Sequence, residues 1–280
     1  MRIDTNTRLY AVLGDPVSHS LSPVMHNSAF ARIGYNGVYT AFRVKDIAGA
    51  VHGIKALGIQ GASITIPHKT AVMAYLDEVD EEARKIGAVN TVVNRQGRLS
   101  GYNTDGLGAI KALSEKTSIK DKKIGIMGAG GAARAIGFGV MSQGGIAIIF
   151  NRSKDSGKRL ADDLGTEYRP LSEIKKARCN ILINTTPVGM FPAVDATPVE
   201  KEVFEKDMIV MDIVYNPLKT LLLKEAEAMG CSTVDGVSMF VYQGAFQFEL
   251  WTGKAAPVEV MKNAVLDALG VQSSKFKVQS

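Results

Sequence analysis

The segment KIGIMGAGGAARA, residues 123–135, carries the strongest information about the fold class. An apolar strand runs into Gly128, Gly130 and Ala133, which fit the pattern G-x-G-x-x-G/A and open a helix. In this context Gly128 permits a tight turn, and Gly130 lets a pyrophosphate approach the backbone at the helix N-terminus. The alternative is a glycine-rich turn that serves packing alone. We predict a dinucleotide-binding loop.

Apolar segments after this loop alternate with helical patterns. Strands joined by helical crossovers of this length are typical of a parallel sheet. We therefore predict an α/β fold with a Rossmann-type domain whose strands lie at Lys123–Met127, Ile146–Phe150, Cys179–Asn184 and Ile209–Val214, with a helix near Ser156–Leu164.

The first hundred residues contain a second α/β pattern. Ser22 followed by Pro23 is typical of a helix N-cap with proline at the first helical position. The sequence predicts strands at Leu9–Gly14, Tyr39–Val44 and Gly61–Ile66, and a hairpin that joins Val89–Asn94 to Arg98–Tyr102. Two C-terminal helices are predicted at about Ser238–Trp251 and Pro257–Leu269, followed by a frayed polar tail.

The residues after the second Rossmann strand bear on the choice of cofactor. NAD-binding domains usually carry Asp or Glu there, whereas this chain has Asn151, Arg152, Ser153 and Lys154. A carboxylate would repel a 2′-phosphate, but the Arg152 guanidinium can pair with one in a bidentate manner. The segment favours NADP over NAD. A solvated basic loop is the alternative, and Asp155 is able to accept a hydrogen bond from a ribose hydroxyl.

Four polar clusters lie at predicted strand ends in the first half of the chain, where α/β sheets bind ligands. Their hydroxyl, amide, ammonium and carboxylate groups suit a polyhydroxylated, anionic small molecule. Each group also has a structural explanation, as a helix cap, a turn residue or a solvated lysine. The clusters are Ser20-Leu21-Ser22, Thr65 with Lys69, Asn90-Thr91, and Asn103-Thr104-Asp105.

Composition limits the function classes. Of 280 residues, 46% are hydrophobic and 22% charged, as in ordinary globular proteins. The net charge is +5 with scattered lysines and arginines, so we expect no nucleic-acid partner. No apolar run is long enough for a membrane span, and the N-terminus is unlike a signal peptide. Two cysteines fit a reducing cytoplasm, and four histidines without ligand spacing predict no metal.

Seven motifs follow one another along most of the chain: SHSLSPVMHN (18–27), ITIPHK (64–69), GAVNT (87–91), GYNTDG (101–106), GAGGAARA (128–135), NTTPVGM (184–190) and DGVSMFVYQGAFQFELWTG (235–253). In this set and order the chain resembles the shikimate dehydrogenase family. The resemblance implies NADP-dependent reduction of 3-dehydroshikimate to shikimate, a step of chorismate and aromatic amino-acid biosynthesis. It also implies an N-terminal α/β substrate domain, a Rossmann-type NADP domain and an active site in the cleft between them.

The resemblance further implies which parts of the chain do what. Residues 1–104, completed by C-terminal helices at 238–270, would bind the substrate, residues 105–237 would bind NADP, and residues 271–280 would form a flexible tail. The expected partner is the small-molecule substrate, and the protein would be a cytoplasmic monomer or homodimer.

Site residues are assigned by their places in the family motifs. Lys69 and Asp105 would be the catalytic residues. Ser20 and Ser22 would bind the substrate carboxylate, and further substrate contacts would come from Thr65, Asn90, Tyr215 and Gln243. The cofactor would contact Gly128, Ala129, Gly130, Gly131 and Ala132 through its phosphates, Asn151, Arg152 and Ser153 through its adenosine ribose phosphate, and Ile213 and Gly236 beside the nicotinamide.

The chain departs from the family pattern at two places. The family usually has Asn-Val-Thr before the catalytic lysine, where this chain has Ser63-Ile64-Thr65. Thr65 is kept, so the change is expected to concern only the supporting turn. Val214 replaces an aromatic residue found in many members.

Two other functions remain open from the sequence. A quinate or quinate/shikimate dehydrogenase with relaxed cofactor use is the nearest, although Ser20, Ser22 and Thr65 are of the shikimate type. A non-catalytic ligand-sensing module that reuses the fold is the second. Such a module should lack Lys69 or Asp105, or carry a DNA-binding segment.

Overall fold

The computed structural model describes residues 3–270. The chain divides into two compact units. The first contains the described residues up to Thr104 together with those from Gly244 onward, and the second contains Asp105–Gln243. The predicted tail, residues 271–280, lies outside the described part of the chain.

The first unit is built on a six-stranded mixed sheet. Its strands are β1 (Arg8–Gly14), β2 (Gly37–Arg43), β3 (Gly61–Ile64), β4 (Glu78–Val79), β5 (Thr91–Arg95) and β6 (Arg98–Tyr102). Their order in the sheet is β2-β1-β3-β5-β6-β4. β1 pairs in parallel with β2 and β3, whereas β5 runs antiparallel to both β3 and β6. The connecting helices are α1 (Ser22–Arg32), α2 (Ile47–Ala56), α3 (Glu81–Ile86) and a 3₁₀ helix, Ala71–Tyr75.

The predicted hairpin in this sheet is confirmed. β5 and β6 are joined by the two residues Gln96 and Gly97, with Arg95 paired to Arg98. Both turn residues have positive φ, 55° and 87°. Two-residue turns of this kind match the right-handed twist of the strands that they connect.

The predicted start of α1 and the predicted end of β3 are each wrong by one or two residues. Leu21, not Ser22, is the N-cap of α1, and Ser22 is the first helical residue. The Ser22 amide donates to the Ser20 hydroxyl at 3.3 Å. β3 ends at Ile64 instead of at residue 66, because Pro67 lacks an amide donor and restricts the residue before it.

The second unit is built on a six-stranded sheet in which every neighbouring pair is parallel, as predicted. Its strands are β7 (Lys123–Met127), β8 (Ile146–Asn151), β9 (Glu167–Pro170), β10 (Ile181–Asn184), β11 (Ile209–Asp212) and β12 (Ser232–Val234). The order is β12-β11-β10-β7-β8-β9. The chain therefore reverses direction across the sheet between β7 and β10, which is where doubly wound sheets bind their ligands.

Helices cover both faces of the parallel sheet. They are α4 (Asp105–Ser114), α5 (Gly131–Ser142), α6 (Lys154–Leu164) and α7 (Leu221–Ala228), with 3₁₀ helices at Leu171–Ala177 and Lys201–Val203. Two separate apolar cores, one around Ile126 and one around Leu182, fill the two faces. Both faces of a parallel sheet must be buried, which explains the continuous apolar strands of this half of the sequence.

The remaining helices are α8 (Gly236–Thr252), which contains the division between the units, and α9 (Val258–Ala268). α6 begins at Lys154, two residues before the predicted start, because Ser153 takes the N-cap position. The short strands β9 and β12 were not anticipated from the sequence, since neither contains an extended apolar run.

Candidate active site

Strand directions in the first unit bring its predicted polar clusters to one edge of the sheet. β1 and β3 end at this edge, so the Ser20–Ser22 loop and the Thr65–Lys69 segment begin there. β5 runs in the opposite direction, so Asn90, which precedes it, lies at the same edge. Backbone hydrogen bonds join these segments, from the Ile64 amide to the Asn90 carbonyl at 2.8 Å and from the Val89 amide to the Lys69 carbonyl at 2.8 Å.

Lys69 is half-buried, and its backbone is fixed on both sides. Its carbonyl accepts the Val89 amide, and the buried ring of the preceding residue, His68, lies with Nε2 2.8 Å from the Val44 carbonyl. These contacts fix the backbone position from which the Lys69 side chain extends.

Asn90 is 2% exposed and its side-chain orientation is fixed by donors. Its Oδ1 accepts from the Thr104 amide at 2.9 Å and from the Thr91 hydroxyl at 2.7 Å, and its Nδ2 donates to the Thr104 hydroxyl at 3.0 Å. The Thr104 amide can only donate, so the oxygen end of the Asn90 carboxamide must face it. Asn90 is therefore a preorganised hydrogen-bonding group and not a turn residue.

The departure at Ser63 does not lie in a turn, which corrects the expectation from the sequence. Ser63 is in the interior of β3 and 7% exposed. Its hydroxyl accepts from the Tyr39 hydroxyl at 2.6 Å and donates to Gln247 Oε1 at 2.7 Å. Sequence reasoning missed Gln247. The available signal was a single amide in an otherwise apolar helical stretch, AFQF.

The second unit contains the other predicted catalytic residue, Asp105. It is the first residue of α4 and is buried. A Cβ on Gly106 would lie 2.5 Å from the Ala135 carbonyl oxygen, so glycine is required where α4 packs against α5. This packing fixes the start of the helix that carries Asp105.

The predicted phosphate loop has two kinds of glycine. Gly128 has φ 116°, and a Cβ there would lie 2.5 Å from Thr185 Oγ1, so this glycine serves the turn and its packing. Gly130 and Gly131 are exposed, and a Cβ on either would meet no atom within 4 Å. The packing explanation therefore fails for these two glycines. Their open backbone fits a pyrophosphate.

The loop also leaves the N-terminus of α5 available to an anion. Gly130 is the N-cap, and no described side chain caps the helix. The small side chains of Ala129 and Ala132 flank this opening and are half-buried. Backbone amides of a helix start, together with the helix dipole, are well suited to a phosphate.

The adenosine-side segment follows β8. Asn151 Nδ2 donates to the Ser153 carbonyl at 2.9 Å and to the Ser156 hydroxyl at 2.8 Å, which ties the segment into a turn before α6. Arg152 and Ser153 are exposed at this turn. Arg152 makes no ion pair with a side chain of residues 3–270. A guanidinium without an acidic partner suits a 2′-phosphate.

The two residues assigned to the nicotinamide lie close together in the second unit. A Cβ on Gly236 would lie 2.5 Å from the Val214 carbonyl oxygen and 2.6 Å from that of Ile213. Tyr215 stacks on Phe240, with ring centroids 5.0 Å apart, and burial raises the pKa of its hydroxyl.

Gln243 lies in the same unit and is 9% exposed. Its Nε2 donates to the Phe240 carbonyl at 2.8 Å within its own helix. A Cβ on Gly108 would lie 2.7 Å from the Gln243 amide nitrogen, so α4 and α8 approach closely at this point. The close approach fixes where the Gln243 side chain begins.

A buried carboxylate supports the segment at residues 213–215. Asp212 is fully buried, and it accepts from Asn184 Nδ2 at 3.0 Å, from the Val214 amide at 3.1 Å and from the Thr220 hydroxyl at 2.7 Å. Burial raises the pKa of Asp212, and the three donors oppose that shift. Asp212 thereby joins the ends of β10 and β11 to the N-cap of α7.

The described residues contain neither a metal-binding cluster nor a membrane-spanning helix. No group of three or more His, Cys, Asp or Glu side chains among residues 3–270 is arranged to hold a metal ion. None of the described helices is both long enough and apolar enough to cross a membrane.

A parallel sheet with an open glycine loop at its switch point, followed by a basic turn after β8, defines a dinucleotide-binding domain of the Rossmann type. Comparisons with known proteins specify the family. The matching models are the shikimate dehydrogenase substrate binding domain at residues 12–92, shikimate/quinate 5-dehydrogenase at 111–218 and the shikimate 5′-dehydrogenase C-terminal domain at 236–266.

Individual relatives agree with these models. The NADP(+) shikimate dehydrogenase of Geobacillus kaustophilus is 48% identical, covering 94% of this chain and 99% of the relative. A crystal structure of a shikimate dehydrogenase with NADP+ is 44% identical with a TM-score of 0.93, covering 96% and 98%. The Thermus thermophilus enzyme, crystallised with NADP(H) and shikimate, is 37% identical with a TM-score of 0.88, covering 94% and 100%. The chain belongs to the shikimate dehydrogenase family.

Proposed function

We propose that this protein catalyses the reversible NADP-dependent interconversion of shikimate and 3-dehydroshikimate in aromatic amino-acid biosynthesis. The observation that supports the proposal is that the segments carrying Ser20, Ser22, Thr65, Lys69 and Asn90 start or end at the same edge of the sheet in the first unit. Hydroxyls, an amide and an ammonium at one edge match a carboxylate that sits on a hydroxylated ring.

The proposal assigns separate tasks to the two units. Residues 1–104, completed by helices at 238–270, bind the substrate, and residues 105–237 bind NADP, whereas the division between the two compact units falls between Gln243 and Gly244. The open backbone at Gly130 and Gly131 holds the pyrophosphate, and Arg152 pairs with the 2′-phosphate. When bound, NADP supplies the group that accepts or gives the hydride.

Residues of this chain supply binding and proton transfer. Ser20 and Ser22 donate hydrogen bonds to the substrate carboxylate, and Asn90 binds a ring hydroxyl. Lys69 takes the proton from the reacting alcohol during oxidation and returns it to the ketone oxygen during reduction. Asp105 binds the neighbouring ring hydroxyl.

Charge distribution and cysteine pairing support the proposed partner and location. The substrate is a small molecule, and the scattered charge gives no basic stripe for nucleic acid. Cys179 and Cys231 are both unpaired and buried, which suits the reducing cytoplasm. A monomer and a homodimer are distinguished by measuring the mass in solution.

Replacing Lys69 tests the proposed proton transfer. Lys69→Ala should lower kcat for shikimate oxidation by about a thousandfold, with KM changed less than about threefold, because the ammonium acts on the reacting oxygen. The control is Lys85→Ala, since Lys85 is an exposed lysine of the same unit. Near-normal turnover by a folded Lys69→Ala protein would remove Lys69 from the mechanism.

Replacing Arg152 tests the assignment of the cofactor. Arg152→Ala should raise KM for NADP by about 10- to 100-fold, since a charge-assisted pair is lost, and should leave KM for NAD nearly unchanged. Lys175→Ala removes an exposed cation elsewhere in the unit and should change neither constant. Equal effects of Arg152→Ala on both cofactors would contradict a role at the 2′-phosphate.

A further inference from the structure

A chain of hydrogen bonds runs through the interior of the first unit from Tyr39 to Asn90. Tyr39 donates to Ser63, and Ser63 donates to Gln247 Oε1. Gln247 Nε2 lies 3.2 Å from the Asn90 carbonyl oxygen and 3.0 Å from Thr91 Oγ1. Gln247 and Asn90 are each 2% exposed, so these hydrogen bonds are inaccessible to bulk water.

The Asn90 carbonyl oxygen determines which group donates and which accepts in each of these hydrogen bonds. The Asn90 carbonyl can only accept, so the Gln247 end that faces it must be the NH₂ group. Oε1 then faces Ser63, which must donate, and the Tyr39 hydroxyl must in turn donate to Ser63. The same NH₂ group donates to Thr91, whose own hydrogen is thereby directed to Asn90 Oδ1 at 2.7 Å.

Gln247 therefore acts on Asn90 in two ways. It donates to the Asn90 backbone carbonyl, which also accepts from the Ile64 amide, and through Thr91 it supplies a second hydrogen bond that supports the Asn90 carboxamide orientation set by the Thr104 amide. We propose that Gln247 is a positioning residue for the substrate-binding Asn90, and that Ser63 and Gln247 form a matched pair that one asparagine at position 63 could replace. This inference rests on the proposed function, which assigns Asn90 to the substrate.

The exchange has a geometric basis. Ser63 Oγ occupies the place that the side-chain carbonyl carbon of an asparagine would take in the same rotamer. That carbon would lie about as close to Gln247 Oε1 as Ser63 Oγ does, 2.7 Å, which is a hydrogen-bond distance and well inside carbon–oxygen van der Waals contact. An asparagine at position 63 and a glutamine at position 247 therefore collide.

The kinetic test uses single and double variants. Gln247→Ala should raise KM for shikimate about tenfold, with kcat and KM for NADP changed less than about twofold, since Asn90 binds substrate without taking part in proton transfer. Gln247→Met keeps the volume and removes the amide, so it should give the same result if the alanine variant folds poorly. Glu249→Gln, an exposed change two residues along the same helix, should alter nothing.

The double variant separates a matched pair from two independent defects. Ser63→Asn alone should lower stability and raise KM, because the two carboxamides collide. Ser63→Asn combined with Gln247→Ala should bring KM back to within about threefold of the unaltered protein. The inference is overturned if the increase in KM of the double variant equals the product of the increases in the two single variants. It is also overturned if KM of the Gln247→Met protein is unchanged.

A readout without substrate keeps this test distinct from the proposed function. The Thr104 amide, which donates to Asn90 Oδ1 at 2.9 Å, should exchange its hydrogen faster in Gln247→Met and at the normal rate in the double variant. If the unaltered protein does not oxidise shikimate, the proposed function fails while this exchange pattern still supports the positioning of Asn90. Unchanged exchange in Gln247→Met contradicts the positioning role whatever the activity.

Discussion

The two units each bury a polar network next to the residues assigned to a ligand, but one network is neutral and the other is charged. In the first unit hydroxyls and carboxamides connect Tyr39 to Asn90 through Gln247. In the second unit the carboxylate of Asp212 accepts from Asn184, Val214 and Thr220. Every member of both networks that carries a side-chain contact is less than one-tenth exposed.

The difference determines how each network responds to its surroundings. The neutral chain depends on donor direction, so one reversed or missing group misorients its neighbours. The charged network depends on three donors that compensate one desolvated carboxylate, so it is strong but sensitive to pH. We therefore expect removal of the Asp212 carboxylate to lower the free energy of unfolding most. An acidic group introduced into the neutral network should make its stability depend on pH.

Removing the Asp212 side chain should have the largest effect on stability. Asp212→Ala leaves the Asn184 amide, the Val214 amide and the Thr220 hydroxyl without their buried acceptor, so the free energy of unfolding should fall by about 3 kcal/mol. Denaturant unfolding measures this change. The control Asp195→Ala removes an exposed carboxylate and should change it by less than about 0.5 kcal/mol. A loss below about 1 kcal/mol for Asp212→Ala would show that the donors find other partners.

Introducing an acid into the neutral network should produce a pH dependence that is absent from the unaltered network. In Gln247→Glu a protonated carboxyl can still donate to the Asn90 carbonyl, but the ionised form cannot. Burial raises the pKa of such a carboxyl, so stability is retained at low pH and lost as pH rises through the raised pKa.

The size and control of this effect are measurable by unfolding at several pH values. Relative to the unaltered protein, Gln247→Glu should lose about 2 kcal/mol between acid and neutral pH. Gln143→Glu places the same charge on an exposed side chain and should show no such trend. A pH-independent difference for Gln247→Glu would mean that the Asn90 carbonyl does not require this donor.

Neutralising Asp212 without shortening it should have the smallest effect. In Asp212→Asn, Oδ1 still accepts from Asn184 and Val214, and the new amide can donate to Thr220, so the cost is about 1 kcal/mol at acid pH. The pKa of Asp212 is raised in the folded state, so the native carboxylate loses stability as pH rises above its ordinary range. The free energy of unfolding of the variant, relative to that of the unaltered protein, should therefore increase as pH rises. The opposite trend would contradict the desolvation of Asp212.

The phosphate loop of the second unit can be predicted from the sequence, whereas the neutral network of the first unit cannot. The phosphate loop, the parallel strands and the hairpin at Gln96–Gly97 depend on local patterns, and local patterns are legible in one sequence. The start of α1 was misplaced by one residue, because Leu21, which has no side chain that could act as a cap, takes the N-cap position.

The neutral network could not be found by such reasoning. Ser63 and Gln247 are 184 residues apart, and only the folded first unit places the two side chains together. Asp212 is different, since its side-chain partners Asn184 and Thr220 lie within 28 residues of it. Asn184 and Asp212 are also the last residues of their strands, β10 and β11. Long-range pairing of neutral groups leaves no periodicity or motif in the sequence, apart from the isolated amide of Gln247 in an apolar helix.

The rate of nicotinamide reduction by the unaltered protein, with shikimate or quinate as substrate and NADP or NAD as cofactor, tests the proposed function most directly. We predict that kcat/KM for shikimate with NADP exceeds that of every other pair by at least about tenfold, the scale of one lost charge-assisted contact. Comparable rates with quinate or NAD would contradict the assigned specificity and the role of Arg152. No turnover with any pair in the folded protein would contradict the enzymatic function itself.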